Sequence, residues 1–450
     1  MPADPFGAGA GPMSHRTALR YLDGLVNREA TPKVAAGDVA DLSLDAMRAL
    51  MAALGDPQHA YPVLHITGTN GKGSVATMAA RLLEALGLSV GVYASPHLQV
   101  LNERLRWTGG LIDDDELGRI IGEVAAVADV AGVTPSYFEV LTASAFAWFA
   151  ELPVDVAVVE VGVLGRFDAT NVADAAVAVI TNIGPDHTDF RPGWRQAIAQ
   201  EKVGIVKDAS FLVLGETDDE LRPIFEDAAG DRLWVLDEDV AVTEVRDALG
   251  GRVVDVRTPF EELDDLFVPV HGDHQVTNAA LAVAAVEALT GRGLDAELAR
   301  AALAEVRLPG RFEIVGRGPL LVLDGAHNAD GAAALAATLG GEFEVGGRRL
   351  LVLGMLAGRD PLAYLEALEV GTFDLVLCCT APSERAVPAA ELVQACASLG
   401  VDAEAVGDVA DALDRARATS TEEDVVVVTG SIYVVGAARD ALGLRPSDGP

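Results

Sequence analysis

Residues 67–74 read TGTNGKGS, and this stretch decides the fold of the region around it. An apolar run at 63–67 precedes it, and a helical pattern at 74–86 follows it. Glycines let backbone N–H groups turn toward an anion, and the helix N-terminus adds the positive end of its dipole. The stretch therefore predicts a strand, a phosphate-binding loop and a helix, with a plain glycine-rich turn as the alternative. Two residues separate the first two glycines and Gly73 divides Lys72 from Ser74, unlike the general P-loop pattern.

Apolar runs alternate with alanine-rich helical patterns along the chain, which predicts an α/β protein with mostly parallel sheets. A P-loop-type central domain is predicted over 14–306, with an antiparallel patch at 235–270. Residues 307–312 (RLPGRF) interrupt the helical pattern and predict a linker. A C-terminal Rossmann-like α/β domain is predicted over 313–450. Residues 1–13 are expected to form a disordered leader, because they lack the basic start of a signal peptide.

The composition of the chain indicates which classes of partner are not expected and which cellular compartment is. The formal net charge is −35, which argues against a nucleic-acid partner because phosphates need a basic surface. A salt-adapted source or a GC-rich source would each produce the preference for arginine over lysine that accompanies this acidity. No apolar run has membrane-spanning length without Gly or charge, so no membrane partner is expected. The three cysteines are too few for a disulfide framework and badly spaced for zinc, which favours the cytoplasm.

Polar residues at the ends of predicted strands are candidates for chemistry. Glu160 ends an apolar strand, and its carboxylate needs a cation, either magnesium or the nearby Arg166. Ser95 and His97 lie in a Ser-Pro-His segment after the strand at 89–94, which suits a ligand crevice or a plain turn. His187 follows a later strand, where it either orders a loop or binds a metal.

Lysine is rare in this chain, with only four residues, so each is a candidate for chemistry that arginine cannot perform. Lys202 ends a predicted helix, where a surface lysine is the ordinary interpretation. In the second domain, Asp324 and His327 follow a predicted strand, and Arg311 lies in the linker. These three side chains are placed to reach a nucleotide from the opposite side.

The order of the motifs resembles the folylpolyglutamate synthase/dihydrofolate synthase family of the Mur ligase superfamily. The resemblance covers about residues 17–442, and several motifs in one order are more specific than any single one. The motifs are HITGTNGKGS (65–74), SPHL (95–98), NER (102–104), YFE (137–139), EVG (160–162), DATN (168–171), DHT (186–188), EKVGI (201–205), HQVTN (274–278), LPGRF (308–312), DGAHN (324–328) and GSIY (430–433).

The resemblance implies an ATP-dependent ligase. The carboxylate of one substrate attacks the γ-phosphate to give an acyl phosphate, and the amine of L-glutamate then displaces phosphate to form an amide. Dihydropteroate and reduced folates are the implied acceptors, and a monomer is implied. ATP, two Mg²⁺ ions and, as a further candidate, K⁺ are the implied small partners.

The resemblance also carries roles to individual residues. The implied catalytic residues are Lys72, Lys202, His187 and Glu160. The implied ATP-binding residues are Thr69, Asn70, Gly71, Lys72, Gly73, Ser74, Asn278, Arg311, Asp324 and His327. The implied metal ligands are Ser74, Ser95, Glu160, His187 and a carbamylated Lys202. The implied pterin or folate pocket comprises Tyr137, Phe138, Glu139, Phe167, Asp168, Ala169, Asp41 and Leu42.

Three positions depart from the family's pattern. Leu164 stands where glycine is usual, Ser43 where glycine is common and Arg359 where lysine is usual. They bear on the acceptor more than on the reaction class. Another Mur-type ligase is an alternative that SPHL and NER disfavour. A P-loop kinase or ATPase is a second one, but it leaves the DGAHN motif unexplained.

Overall fold

The computed structural model describes residues 13–27, 43–108, 110–185 and 191–446. The helices in these residues are α1 (His15–Asp23), α2 (Asp45–Ala53), α3 (Lys72–Ala85), α4 (Asp114–Ala131), α5 (Tyr137–Glu151), α6 (Trp194–Lys202), α7 (Arg222–Ala229), α8 (Asp273–Thr290), α9 (Ala296–Ala304), α10 (Ala329–Glu342), α11 (Pro361–Ala367), α12 (Ala389–Ser398), α13 (Val409–Thr419) and α14 (Ile432–Ala441). The strands are β1 (Val63–Thr67), β2 (Val90–Tyr93), β3 (Leu105–Trp107), β4 (Gly110–Leu111), β5 (Val156–Glu160), β6 (Ala175–Ile180), β7 (Phe211–Leu214), β8 (Leu233–Val235), β9 (Ala241–Ala248), β10 (Gly251–Arg257), β11 (Glu262–Val268), β12 (Glu313–Arg317), β13 (Leu320–Leu323), β14 (Arg349–Leu353), β15 (Leu375–Cys378), β16 (Ala403–Ala405) and β17 (Val425–Thr429).

The first sheet has the strand order β4-β3-β2-β5-β1-β6-β7-β8 among the described residues. It is parallel from β2 to β8, and β3 and β4 extend it as an antiparallel edge. Every residue of β1 and β5 is buried, as expected for parallel strands with both faces covered. One face packs against α3 and α8, and the other packs against α4 and α5. Strand β1 therefore lies in the middle of the sheet, between β5 and β6.

Strands β9 to β11 form a separate antiparallel sheet, which confirms the patch predicted at 235–270. Its apolar side chains, such as Val254 and Leu263, join the core formed by α3, α8 and α9. This small sheet therefore covers the outer side of the helices that support β1.

The second large sheet has the order β12-β13-β17-β14-β15-β16 and is parallel except for β12. Its two faces carry two separate apolar cores. The α/β class with parallel sheets is confirmed. Among the helices of the described ranges, none has both the length and the apolar character of a membrane span.

Element boundaries differ in a few places from the sequence pattern. Helix α3 begins at Lys72 rather than at residue 74, because Gly71 adopts a left-handed conformation (φ 84°) as its N-cap. Strands β3, β4, β8, β12 and β16 were not predicted, since they have two to five residues and mostly lie at sheet edges. Met13, the last residue of the predicted leader, packs against Gly122 of α4.

Candidate active site

The glycine loop lies at the carboxyl edge of the first sheet. Gly68 and Gly71 have φ angles of 151° and 84°, which L side chains rarely adopt. Space excludes a side chain as well. An ideal Cβ on Gly68 would lie 1.7 Å from Thr181 Oγ1, and one on Gly71 would lie 2.4 Å from Asn278 Oδ1. The two glycines therefore allow the loop to pass close to β6 and α8, which brings Asn278 against it.

The backbone of the loop is held by two residues that follow β6. Asn182 Oδ1 accepts hydrogen bonds from the N–H groups of Thr69 (3.1 Å) and Asn70 (2.9 Å). Thr181 Oγ1 donates to the carbonyl of Asn70 at 2.5 Å. Neither residue was among the predicted site residues, although their position after a parallel strand was a usable signal.

Lys72 and Ser74 present the polar groups of the loop. Lys72 Nζ donates to the carbonyls of Gly68 (3.0 Å) and Thr69 (3.2 Å), so the ammonium folds back over the loop. The hydroxyl of Ser74 is buried and has no hydrogen-bond partner in the part of the chain that the structure describes. Because an unpaired buried hydroxyl is unfavourable, Ser74 Oγ is a candidate for contact with a ligand.

Glu160 ends β5 beside the loop and is buried. Its Oε2 accepts a hydrogen bond from the N–H of Ser95 at 3.1 Å. Burial raises the pKa of Glu160, and the charges of Lys72, Arg311 and Arg104 act in the opposite direction. A buried carboxylate surrounded by three cationic side chains from different segments is typical of a charged-ligand site.

The Ser-Pro-His segment after β2 forms a turn. It also leads into a contact between the region of the first large sheet and the region of the second. Its Ser-Pro peptide is cis. Arg104 Nε donates to His97 Nδ1 at 3.0 Å. Gln99 follows, and its Nε2 donates to Asp440 Oδ1 (2.7 Å) and to the carbonyl of Leu444 (3.0 Å). The segment that carries Ser95 is thus bonded to the end of α14.

Lys202 is 3% exposed, so its interpretation as a surface lysine is wrong. It ends α6, next to Glu201. The alternative in which Arg166 neutralises Glu160 is also wrong. Arg166 donates to the carbonyl of Gln200 at 2.9 Å, and its Nε lies 3.8 Å from Glu201 Oε1. Arg166 therefore braces the end of α6 rather than the carboxylate of β5.

Aromatic residues of the predicted acceptor pocket lie at the start of α5. The ring of Phe138 packs on Gly162, where an ideal Cβ would lie 2.6 Å from Phe138 Cζ. The guanidinium of Arg104 lies 5.6 Å from the centre of the Tyr137 ring. Phe167 is partly exposed and Ala169 is buried in the loop after β5. The predicted aromatic residues and this loop are therefore neighbours.

Two carboxylates that were predicted to line the acceptor pocket accept hydrogen bonds from neighbouring residues of the protein. Glu139 Oε2 accepts from the N–H and the hydroxyl of Ser136, both at 2.7 Å, in a capping box that begins α5. Asp168 accepts from the hydroxyl (2.5 Å) and N–H (3.0 Å) of Thr170 and from the N–H of Val163 (2.8 Å). Burial raises the pKa of Asp168 to about 6. Glu139 therefore holds the start of α5, and Asp168 holds the loop after β5.

Leu164 stands at a position where the family usually has glycine, and it adopts a left-handed conformation (φ 58°). Its side chain is only 5% exposed, and its carbonyl accepts from Thr67 Oγ1 at 2.6 Å. The unfavourable φ destabilises the fold by about 1 kcal/mol, whereas burial of a leucine side chain stabilises it by roughly 1.5–3 kcal/mol. The buried side chain outweighs the strain.

We expect Leu164→Gly to destabilise the protein by about 1–2 kcal/mol and Leu164→Ala by about 2–4 kcal/mol. Both variants lose the buried side chain, but only alanine keeps the strain. Urea unfolding of the three proteins measures the order. If Leu164→Ala were the more stable variant, φ strain would not contribute at this position.

Arg311 and Asp324 come from the region of the second large sheet. Asp324 accepts from the N–H groups of Phe312 (2.7 Å) and Ala326 (2.8 Å), and burial raises its pKa while Arg311 opposes this. An ideal Cβ on Gly325 would lie 2.8 Å from Arg311 Nη1. The guanidinium is thus packed over the DGAHN backbone, close enough to act on the charges of both Asp324 and Glu160.

The same motif touches the glycine loop. Asn328 Nδ2 donates to Asn70 Oδ1 at 3.1 Å, and His327 Nδ1 lies 3.0 Å from the carbonyl of Gly325. Asn328 was not predicted as a site residue, although it belongs to the DGAHN motif. The structure brings the ATP-side residues predicted from both halves of the chain to one cleft.

Three predicted residues, Asp41, Leu42 and His187, lie outside the described residues, so their roles stay predictions. Within 13–27, 43–108, 110–185 and 191–446, no group of three or more His, Cys, Asp or Glu side chains is arranged to hold a metal ion.

Two family models match this chain: the Mur ligase middle domain over residues 66–286, and the Mur ligase, glutamate ligase domain over 310–432. The dihydrofolate synthase/folylpolyglutamate synthase of Mycobacterium tuberculosis (strain ATCC 25618 / H37Rv) is 39% identical over 447 residues, which cover 90% of this chain and 91% of that protein.

Solved structures are similar over almost the whole chain. E. coli FolC in complex with DHPP and ADP has a TM-score of 0.84 and 30% identity, covering 97% of this chain and 99% of that one. A bifunctional folylpolyglutamate synthase/dihydrofolate synthase with Mn, AMPPNP and L-glutamate bound has a TM-score of 0.83 and 30% identity, covering 96% and 98%. With the glycine loop, the buried Glu160 and the DGAHN segment meeting in one cleft, these similarities confirm the resemblance: the chain belongs to the dihydrofolate synthase/folylpolyglutamate synthase family of Mur-type ligases.

Proposed function

We propose that this protein is an ATP-dependent ligase that joins L-glutamate to dihydropteroate, to (tetrahydro)folate polyglutamates, or to both. It forms an acyl phosphate and releases ADP and phosphate. The observation that carries the proposal is the hydroxyl of Ser74, which has no partner among the described residues and lies in a cleft where Glu160 faces Lys72 and Arg311. Phosphoryl transfer depends mainly on positioning and charge neutralisation, which such a cleft supplies.

The residues present fit a divalent metal. Within the described ranges, the buried oxygen of Ser74 has no hydrogen-bond partner. An ideal Cβ on Gly73 would lie 3.7 Å from Glu160 Oε2, so the carboxylate faces the start of α3. Hydroxyl and carboxylate oxygens suit Mg²⁺, which completes its shell with phosphate and water. We assign two Mg²⁺ ions to Ser74, Ser95, Glu160, His187 and a carbamylated Lys202, and K⁺ remains a candidate.

When bound, Mg²⁺ offsets the charge of the phosphates and polarises the γ-phosphoryl group. The side chains of Lys72, from the glycine loop, and Arg311, from the linker, are cations that also offset the negative charge of the phosphates. The acceptor carboxylate oxygen bonds to the γ-phosphorus as the bond to ADP breaks. The glutamate nitrogen then bonds to the acyl carbon, the carbon–oxygen bond to phosphate breaks, and the nitrogen loses a proton.

Nucleotide binding is assigned to residues 69–74 together with Asn278, Arg311, Asp324 and His327. The flat pterin ring is assigned to the neighbourhood of Phe138 and the loop at 163–170. In relatives, bound ADP, AMPPNP, DHPP and L-glutamate support these ligand classes. We also propose a monomer, as the family resemblance implies. A location in the cytoplasm is proposed because Cys378, Cys379 and Cys396 are free and buried, as suits a reducing compartment.

The activity predicts a strict dependence on both co-substrates. We expect steady-state release of ADP and phosphate only when a pteroate or folate and L-glutamate are supplied together. Mass-resolved products with dihydropteroate and tetrahydrofolate in parallel distinguish a synthase, a chain extender and a bifunctional enzyme. L-Aspartate, which is one methylene shorter, is the matched control. Turnover of ATP that ignores glutamate would favour a kinase or ATPase instead.

A further inference from the structure

Strand β1 carries two polar side chains where apolar ones would suit the core. Leu64 and Ile66 point to one face of the sheet and belong to its apolar core. His65 and Thr67 point to the other face, because side chains alternate along a strand, and both are completely buried. Since β1 leads directly into the glycine loop, any contact made by these two side chains is fixed relative to that loop.

His65 forms the first contact, with the loop after β5. Its Nε2 lies 2.8 Å from Thr170 Oγ1, which lies 2.5 Å from Asp168 Oδ1. An ionised carboxylate only accepts hydrogen bonds, so the hydroxyl donates to Asp168 and accepts from His65 Nε2–H. Burial lowers the pKa of His65 to about 3, so the imidazole is neutral with its proton on Nε2.

Thr67 forms the second contact, by donating from Oγ1 to the carbonyl of Leu164 at 2.6 Å. The two contacts fall near the two ends of residues 163–170. We propose that His65 and Thr67 are positioning residues that hold residues 163–170, and with them the bound acceptor, in register with the glycine loop. This inference rests on the proposed function, in which the acceptor lies against those residues and the γ-phosphate lies on the loop.

A role in the reaction explains why the polar pair is there. His65 Nδ1 is buried and has no hydrogen-bond partner among the described residues, which is unfavourable for folding. Valine or isoleucine at this position would pack in the core without that penalty. In-line transfer, by contrast, requires the attacking oxygen and the phosphorus to be aligned closely, and small misplacements slow it strongly.

Two amides at position 65 test the proposal. The amide nitrogen of glutamine reaches about as far as Nε2 of histidine, whereas that of asparagine is one bond shorter. We expect His65→Asn to raise the KM for the acceptor or lower kcat at saturating ATP by about three- to tenfold, with the KM for ATP within twofold. His65→Gln should restore most of the loss. Thr67→Val and Thr67→Ser form a second pair in which only valine lacks the hydroxyl.

Amide hydrogen exchange provides a measurement that does not depend on activity. Residues 163–170 should exchange faster in His65→Asn and Thr67→Val but not in His65→Gln and Thr67→Ser, while residues 69–74 stay unchanged. Equal kinetics for the two amides, or parallel rises in both KM values, would overturn the proposal. If the wild-type protein ligated no glutamate, the proposed function would fail, yet the exchange pattern would still decide whether the two contacts hold this segment.

Discussion

Glu160→Gln is expected to lower steady-state ADP release by about two to three orders of magnitude while leaving the fold at least as stable. The amide keeps the shape and the acceptor for the N–H of Ser95, but it removes the negative charge that faces Lys72 and Arg311. Because burial raises the pKa of Glu160 above its unfolded value, the ionised carboxylate opposes folding at pH values above that pKa. The neutral amide removes this unfavourable contribution, so activity and stability should change in opposite directions.

Glu287→Gln is the matched control. Glu287 is also buried, its pKa is also raised by burial, and it accepts from the N–H of Leu294 at 2.9 Å, on the opposite end of α8 from the loop. Its amide variant should keep kcat within about twofold. A Glu160→Gln enzyme with normal turnover would remove this carboxylate from the proposed metal and phosphate site.

Lys202→Ala should lower kcat by about a hundredfold or more, and short carboxylates such as formate or acetate should restore part of the activity. The reason is that the side chain is proposed to act as a carbamate, formed when a neutral amine takes up CO₂. Arginine cannot form this group, so Lys202→Arg should be as inactive as Lys202→Ala despite keeping the positive charge.

Lys207 supplies the control for this rescue. It lies just after α6 and is partly buried, and its Nζ donates to Asn171 Oδ1 at 2.7 Å, a purely internal contact. Lys207→Ala should lower the thermal stability of the protein, and added carboxylates should not raise the activity of this variant. Full activity in Lys202→Arg would contradict the carbamate.

Local patterns in the sequence were sufficient for the central elements of the fold. The apolar run before residue 67, the glycines and the helical pattern after them predicted β1, the loop and α3 within two residues. The long run that ends at Glu160, which is β5, was recognised because buried parallel strands are continuously apolar. The short edge strands β4 and β16 were missed, since two or three partly exposed residues carry little pattern.

The sequence by itself determined the α/β class, the glycine loop between β1 and α3, and the membership of Glu160, Ser74 and Arg311 in one set of motifs. Only the tertiary structure decided which groups meet: the order β5-β1-β6 brings Glu160 and Asn182 to either side of the loop. It also decided that Lys202 is buried and that Arg166 pairs with Glu201 instead of Glu160. The physical reason is distance along the chain, because a partner far away in sequence, such as Gln200 for Arg166 or Asn182 for Asn70, leaves no periodic signal in the local pattern, whereas turns and continuously apolar strands do.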